Sequence, residues 1–336
     1  MAILRRCQHN PILTRENIPA VEGMPWVEDV SSVFNPGALR WRVPGTGEQR
    51  DVLLLRVQTR GRETVLMVAE AEDASGERWT VRSSVVEIAG IEDVPETVYH
   101  AYDPRLTQIG DDVFVVFAGD IDGACKLGMA RTRDFETFEL VTFGGEFETR
   151  NGVLFPEKVG GRYVRLERPN QVLLDNGVTT GSEIVLSESD DLVTWDVVGP
   201  VMAGRWHYWD EMIGSGPPPI KTREGWLHVY HGIAQHFASS NIYQAGVVLL
   251  DLTDPTKVIG RGRNNVLEPR EGYELTGQVP NVVFPSGMIV DGEAGEDDGC
   301  YGEDCEVRVY YGAADTVVGM ARGTVGGLLE EVRRGG

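Results

Sequence analysis

Lysine is nearly missing from this chain. Only Lys126, Lys158, Lys221 and Lys257 occur among 31 Lys+Arg, so positive charge is carried almost entirely by arginine. Positive charge of either kind is also outnumbered, since 52 Asp+Glu leave a formal net charge of −21. Such a surface repels nucleic-acid phosphates and anionic membranes, and neither is expected as a partner. No run approaches the roughly 20 apolar residues that a membrane helix needs. The opening MAILRRCQHNPILT has no apolar stretch behind its arginines to serve as a secretory signal, so the cytoplasm is the expected location. Cysteine is scarce as well. Cys7, Cys125, Cys300 and Cys305 form no CxxC pair, which points to buried or idle thiols rather than a disulfide framework or structural zinc. HExxH, GxSxG, a P-loop and a strand-linked GxGxxG are all lacking, which leaves zinc hydrolysis, serine hydrolysis and nucleotide binding without support. His228 and His231 stand three apart in HVYH, and on a strand they face opposite ways, so they cannot share a metal. No metal and no organic cofactor is expected.

What the sequence does have is strand after strand. Runs such as VLLLRVQ, TVLMVAEA, VFVVFAG, WLHVYHG, AGVVLLDL and VRVYYGAA are short, rich in Val, Leu and aromatics, and separated by Gly, Asp and Pro turns. That pattern reads as all-β. A proline-bearing phrase recurs five times: FNPGALR at 34–40, YDPRLT at 102–107, LFPEKVGGRY at 154–163, PPPIKTREGW at 217–226 and VFPSGMIVDG at 283–292. Intervals of roughly 50 to 70 residues suit a four-stranded propeller blade with its loops. TRDFETFE at 132–139 and SDDLVTWD at 189–196 share a late acidic turn ahead of an aromatic expected to pack between blades. The expected architecture is a single five-bladed β-propeller catalytic domain spanning residues 1–336.

In a propeller the inner strands line the axis, so polar residues at their starts converge on one pocket. This expectation gathers Asp103, Arg105, Lys158 and Lys221, with Lys126 beside them. TRNGVLFPEK adds Arg150 and Asn151, RLERPNQ adds Arg165, Arg168 and Asn170, and VYHGI adds His231. Any one of these arginines is more often half of an ion pair with Glu157, Glu167 or Asp103. Taken together across blades, on a chain this acidic, they read as an anion trap, because the guanidinium fork matches phosphate oxygens. Trp206, Tyr208 and Trp209 in RWHYWDE, with Tyr243 and Gln244 in IYQAG, suggest a surface for sugar rings, and Asp315 in YYGAAD is placed to grip hydroxyls.

These phrases, with RLERPN, GSGPPPIKTREGWLHVYHG, YQAGVVLLDLTDP and VYYGAADTVVGMA, resemble glycoside hydrolase family 130 from about residue 9 to about 326, in family order. The resemblance implies a five-bladed propeller of inverting β-mannoside phosphorylases, with a minority of β-mannosidases. It implies that Asp103 is the general acid, passing its proton through a mannose hydroxyl, and that Arg150, Asn151, Arg168 and His231 hold phosphate. Mannose contacts carry over to Asn35, Arg56, Asp103 and Asp315, with Tyr243 near phosphate or sugar. The expected partners are a mannose-containing oligosaccharide and inorganic phosphate as co-substrate; a homo-oligomer is compatible with the sequence but not read from it. Many members carry a lysine before the IG of KIGxGPPP, where this chain has Met212 with Glu211 beside it. A lone acid opposite a basic cluster predicts phosphorolysis, because phosphate arrives already anionic and needs positioning more than deprotonation. Hydrolysis would need a second carboxylate roughly 6.5–9.5 Å from the acid. Glu211 and Glu271 are the candidates for that base, and a non-catalytic sugar-binding propeller is the third reading.

Overall fold

Alternation of apolar and polar residues between tight turns gives four-stranded antiparallel sheets. In the computed structural model, which describes residues 3–174, 177, 179–236 and 240–335, there are five of them arranged as blades. Blade one is Val30–Arg42, Gln49–Thr59, Thr64–Ala71 and Trp79–Val81. Blade two is His100–Ile109, Asp112–Ile121, Ala124–Thr132 and Phe138–Phe143, with Ile88–Ala89 laid on its outer edge. Thr149–Leu154, Tyr163–Pro169, Glu183–Ser189 and Asp196–Ala203 make blade three. Met212–Ser215, Gly225–Ala234, Ile242–Leu250 and Val258–Arg261 make blade four, and Ile220–Thr222 also pairs with its second strand. Blade five is Val283–Asp291, Glu306–Ala313 and Val317–Thr324, completed by the N-terminal strand Arg5–Arg6. The ring is therefore closed by the first strand pairing with the last, Arg5 against Arg322 and Arg6 against Ala321.

The core lies between blades. The turn of TRDFETFE holds Phe135 at φ 57°, and Phe135 with Phe138 packs on Trp41 of blade one, ring centroids of Trp41 and Phe135 being 5.2 Å apart. SDDLVTWD does the same job between blades two and three through Leu192 and Trp195. Each such aromatic removes enough apolar surface to contribute roughly 1.5–3 kcal/mol.

The proline phrases are β-bulges in three cases. Pairing slips by a residue between Phe34 and Gly37, between Tyr102 and Arg105, and between Pro285 and Gly287, each time in an inner strand. Blade three has the same slip between Arg150 and Val153, at NGV and without proline. Bulges bend a strand and re-aim its side chains. Asn35, Asp103 and Asn151 sit in them at φ 46°, 52° and 54°, a left-handed conformation that Asn and Asp tolerate better than other residues with a Cβ. The bulges also touch one another around the axis. A Cβ on Gly37 would lie 2.8 Å from the carbonyl oxygen of Pro104, so only glycine fits there.

The other two phrases do different work. LFPEK follows the inner strand of blade three, and PPPIK follows that of blade four. They leave the axis rather than approach it.

Candidate active site

The bulges open one cavity of about 1360 Å³ at the N-terminal ends of the inner strands. Asn35, Arg56, Asp103, Arg150, Asn151, Arg168, Glu211, His231, Tyr243 and Asp315 all line it. Asn35, Asp103 and Asn151 come from inner-strand bulges of three blades. Arg56, Arg168 and His231 come from the adjoining second strands, opposite Phe34, Arg150 and Gly214 respectively. Asp315 sits in the hairpin between the second and third strands of blade five, at φ 49°.

Lys158 and Lys221 do not line the cavity, and the reason is the direction of their phrases. Both lie beyond the far ends of the inner strands. Lys158 Nζ rests 4.2 Å from the centre of the Tyr163 ring, and Lys221 Nζ pairs with Glu157 at 2.6 Å. Lys126 pairs with Glu96 at 2.7 Å and is also outside. Arg165 faces the other side of its strand from Arg168, bonding Glu167 at 3.0 Å and covering Trp195 at 4.1 Å. Glu271 is exposed ahead of the short helix Gly272–Leu275 and does not reach the cavity. Met212 is buried with Leu174 and Ile233 behind Tyr243. Of the stretch 231–244 that borders the mouth, residues 237–239 lie outside the described residues.

Arg105 answers to neither reading. Its guanidinium is buried and forms no ion pair among the described residues. Nε donates to the Gly216 carbonyl of the blade-four segment at 2.6 Å, and Nη1 donates to the Asp103 carbonyl at 2.9 Å. It ties blade two to blade four and fixes the bulge that carries Asp103.

Asp103 is gripped on one oxygen only. Arg56 Nη1 donates to Oδ1 at 2.8 Å and Asn35 Nδ2 donates to the same oxygen at 3.0 Å. Among the described residues no donor meets Oδ2. Arg56 itself is held between the Phe34 and Tyr102 rings, 4.5 and 4.6 Å from their centres. Burial pushes the Asp103 carboxyl up, but Arg56, Arg105 and the Asn35 bond outweigh it and hold the group below its ordinary range. Asp315 goes the other way. Burial raises it to about 6 against the pull of Arg56, and the nearby Asp103 charge adds to the rise.

Across the cavity, Arg150 and Arg168 are directly opposed in the blade-three ladder. Like charges facing each other across a sheet destabilise it, and neither arginine has a carboxylate within ion-pair distance among the described residues. Arg168 donates only to neutral oxygens, Thr180 Oγ1 at 2.5 Å and Asn170 Oδ1 at 2.7 Å. Burial, with Arg150 adding to it, lowers Arg168 to about 10. His231 is driven well below its ordinary range by burial and then by Arg168 and Arg105, so the ring is neutral. Tyr243 rises to about 12, mainly through burial, and keeps its proton. Several buried polar atoms here lack partners: Nε of Arg150 and Arg168, Oδ1 of Asn151, and both ring nitrogens of His231. A Cβ on Gly214 would meet His231 at 2.4 Å and Asn151 Oδ1 at 2.7 Å, so glycine lets the two side chains close in over the cavity floor.

Asp120 and Gln278 also line the cavity and carry no motif in the sequence. Asp120 accepts from the Tyr102 hydroxyl at 2.9 Å, and Gln278 reaches in from the blade-five approach. Trp206 and Tyr208 rim the mouth, with Trp206 80% exposed on a loop anchored by Arg205–Asp210 and by the Tyr208 and Trp209 bonds to the Arg263 carbonyl.

A family profile described as β-1,4-mannooligosaccharide phosphorylase matches residues 3–334. Over 340 residues the chain is 32% identical to a β-1,4-mannooligosaccharide phosphorylase of Ruminococcus albus, covering 98% of this chain and 91% of that protein. A 1,2-β-oligomannan phosphorylase of Thermoanaerobacter sp. is 34% identical over 223 residues, 65% of this chain and 66% of the relative. The β-1,2-mannobiose phosphorylase of Listeria innocua, solved with β-1,2-mannobiose, shares the fold at TM-score 0.77 and 24% identity, covering 98% of this chain and 99% of that one. With its five blades, its bulge-borne carboxylate and a profile match over nearly its whole length, this chain belongs to glycoside hydrolase family 130.

Proposed function

We propose that the chain is an inverting phosphorylase of β-mannosides, converting a β-mannosyl oligosaccharide and phosphate to α-mannose 1-phosphate and a shortened sugar. The observation that carries this reading is the cluster opposite Asp103, where two buried arginines have no carboxylate partner among the described residues and each keeps an unbonded Nε. Two arginines without carboxylates, a neutral imidazole and a protonated phenol form a site for an anion rather than for water. Phosphate seated by Arg150, Arg168, Asn151, His231 and Tyr243 attacks the anomeric carbon from the face away from the leaving oxygen. The glycosidic C–O bond breaks as the new C–O bond to phosphate forms. The leaving oxygen takes a proton from Asp103, by way of a mannose hydroxyl as the family resemblance implies. The resulting carboxylate is stabilised by Arg56 and Asn35, which already bond Oδ1. Phosphate enters as its monoprotonated dianion and leaves in the ester, and its proton restores Asp103.

Asn35, Arg56 and Asp315 surround the mannose. The cavity exceeds the roughly 300–1,000 Å³ of a drug-sized pocket, which suits an oligosaccharide together with phosphate. The full-length relative favours a 1,4 linkage. Hydrolysis is the second reading, because Glu211 does line the cavity. Sugar release measured with and without inorganic phosphate, in the wild type and in Glu211→Gln, separates the two. Phosphate-dependent release unaffected by Glu211→Gln is expected. Phosphate-independent mannose release that Glu211→Gln abolishes overturns the proposal.

A further inference from the structure

A second cluster of chemistry-bearing side chains stands where the ring closes, away from the sugar cavity. The Cys7 thiol, a His9 ring nitrogen and a Glu77 carboxylate oxygen all lie within 4.8 Å of one another. None of the three lines the cavity. We propose that Cys7, His9 and Glu77 form a binding site for a thiophilic divalent metal of the zinc class, which clamps the N-terminal segment to blade one.

The donor set selects the metal. A thiolate and an imidazole suit zinc and its transition-metal neighbours and reject calcium and magnesium, which require oxygen ligands. Tetrahedral zinc with bonds of about 2.3 Å to sulfur and about 2.0–2.2 Å to nitrogen and oxygen needs donors roughly 3.4–3.6 Å apart. The donors already lie within 4.8 Å of one another, and reaching that spacing needs the His9 Nδ1–Glu77 contact of 2.5 Å to open by about an ångström as the ion enters between them. His9, whose side chain is 75% exposed, is free to make that movement. Three protein ligands leave a fourth position for water. Binding converts the thiol to thiolate and releases its proton to solvent.

The backbone is ready for such a site. Cys7 N–H donates to the Met320 carbonyl at 2.9 Å, and Asn10 clasps Met320 through both its amide groups at 2.9 Å. Residues 7–9 are thus pinned to blade five. Glu77 is set by the preceding turn, where its N–H donates to Ser75 Oγ at 3.2 Å and the Trp79 ring N–H donates to the Gly76 carbonyl at 2.9 Å. Glu77 now bonds His9 Nδ1 at 2.5 Å. Arg322 stands 3.4 Å from the carboxylate, but its shorter bonds go to Glu306 at 2.5 Å and the Ser75 carbonyl at 2.6 Å. Glu77 is therefore not needed to neutralise Arg322. The ligands are 68 positions apart in sequence, on the two sides of the closure, so a bound ion crosslinks the seam. The net charge of −21 draws cations toward the surface.

The test uses the full chain stripped with a chelator and then given cobalt(II) alone, followed by zinc(II). Expected are a near-ultraviolet thiolate-to-cobalt charge-transfer band, its loss on adding zinc, and loss of the band in Cys7→Ser and in His9→Gln. Zinc at a hundredfold excess over Kd raises the unfolding midpoint by about 4 °C, and it protects Cys7 from alkylation in the wild type, which is read by mass spectrometry without any variant. An absent band, a band retained in Cys7→Ser, or alkylation of Cys7 at the same rate with and without zinc each overturns the site. Phosphorolysis does not enter the readout.

Discussion

Arg168→Met separates a ligand-binding arginine from a structural one. In the folded protein Arg168 is held near 10 by burial and by Arg150, against an ordinary value above 12. A cation whose folded pKa lies below its unfolded one destabilises the fold at every pH below the folded value. The penalty fades only above about 10, where the folded protein sheds the proton that the unfolded chain still holds. The depression corresponds to ~3 kcal/mol against the fold at neutral pH. Methionine removes that penalty and forfeits two hydrogen bonds, to Thr180 and Asn170, each worth roughly 0.5–1.5 kcal/mol. The net change is therefore zero to ~2 kcal/mol in favour of folding. An unfolding entropy of about 0.7 kcal/mol/K for a chain this long makes that at most about 3 °C in midpoint. Arg308→Met is the control. Arg308 is buried between Asp51 and Asp291 at 2.6 and 2.7 Å. Its loss costs about 3 kcal/mol, the lower end for a broken buried pair because Arg40 still meets both acids. The midpoint should fall by about 4 °C. Phosphate use should respond in the opposite sense. Arg168→Met loses ~2–4 kcal/mol of stabilisation on the transferred anion, roughly 30- to 900-fold in kcat/KM for phosphate. Initial rates against phosphate concentration and thermal melts of the two variants give all three numbers. An Arg168→Met protein that melts like Arg308→Met and keeps its phosphate dependence refutes the reasoning.

Two more substitutions probe other parts of the cavity. The raised carboxyl of Asp315, at about 6, makes the folded state bind a proton that the unfolded chain has already lost, so stability falls as pH rises from about 4 to about 6. Asp315→Asn should flatten that fall and raise the midpoint at pH 7 by the equivalent of at most ~3 kcal/mol, while lowering activity; melts from pH 4 to 7 that match wild type count against it. Trp206 is exposed and rims the mouth, so Trp206→Ala should raise KM about tenfold, the loss of roughly 1.4 kcal/mol, for tri- and tetrasaccharides and leave a disaccharide unchanged. A loss independent of chain length would deny the indole a role as an outer sugar platform.

Much of this was legible before any coordinates. Alternation and turn chemistry mark the strands, and the recurring phrases count the blades, because each blade repeats one supersecondary problem. Asp103 and Asn151 stand out through the YDPRLT and TRNGVLFPEK phrases and Asn35 only through the family resemblance, while the left-handed backbone that suits all three emerges with the fold. Misplacing Lys158 and Lys221 has a physical cause. Proline serves an inner-strand bulge and a strand exit equally well, and only register tells them apart. Arg165 could have been set aside from the sequence, since three residues from Arg168 on a strand means the opposite face. Asp120 and Gln278 could not. They reach the cavity from a second strand and a connecting loop, with no local pattern to mark them.

The last question is how Asp103 comes to hold a proton at all, because Arg56 and Arg105 keep its carboxyl low when nothing else is bound. The co-substrate supplies the answer. At the roughly 6.5–9.5 Å between reacting groups of an inverting site, each unit of negative charge raises the acid by ~1.7–2.6 kcal/mol at an effective dielectric of about 20, or roughly 1.3–1.9 pKa units. A phosphate dianion brings about twice that, enough to carry Asp103 from below its ordinary range toward neutrality. The same anion would offset the charge of Arg150, whose field also reaches Asp103. In the proposed reaction the nucleophile would therefore switch on the acid, and a cavity holding sugar without phosphate would leave Asp103 ionised and unreactive. A carbon-13 titration of the Asp103 carboxyl, assigned by its loss in Asp103→Asn, should show its midpoint rise by about 2–4 units when phosphate is saturating. The rise should shrink in Arg168→Met, where phosphate binds poorly. An Asp103 midpoint that ignores phosphate would mean the proton comes from elsewhere.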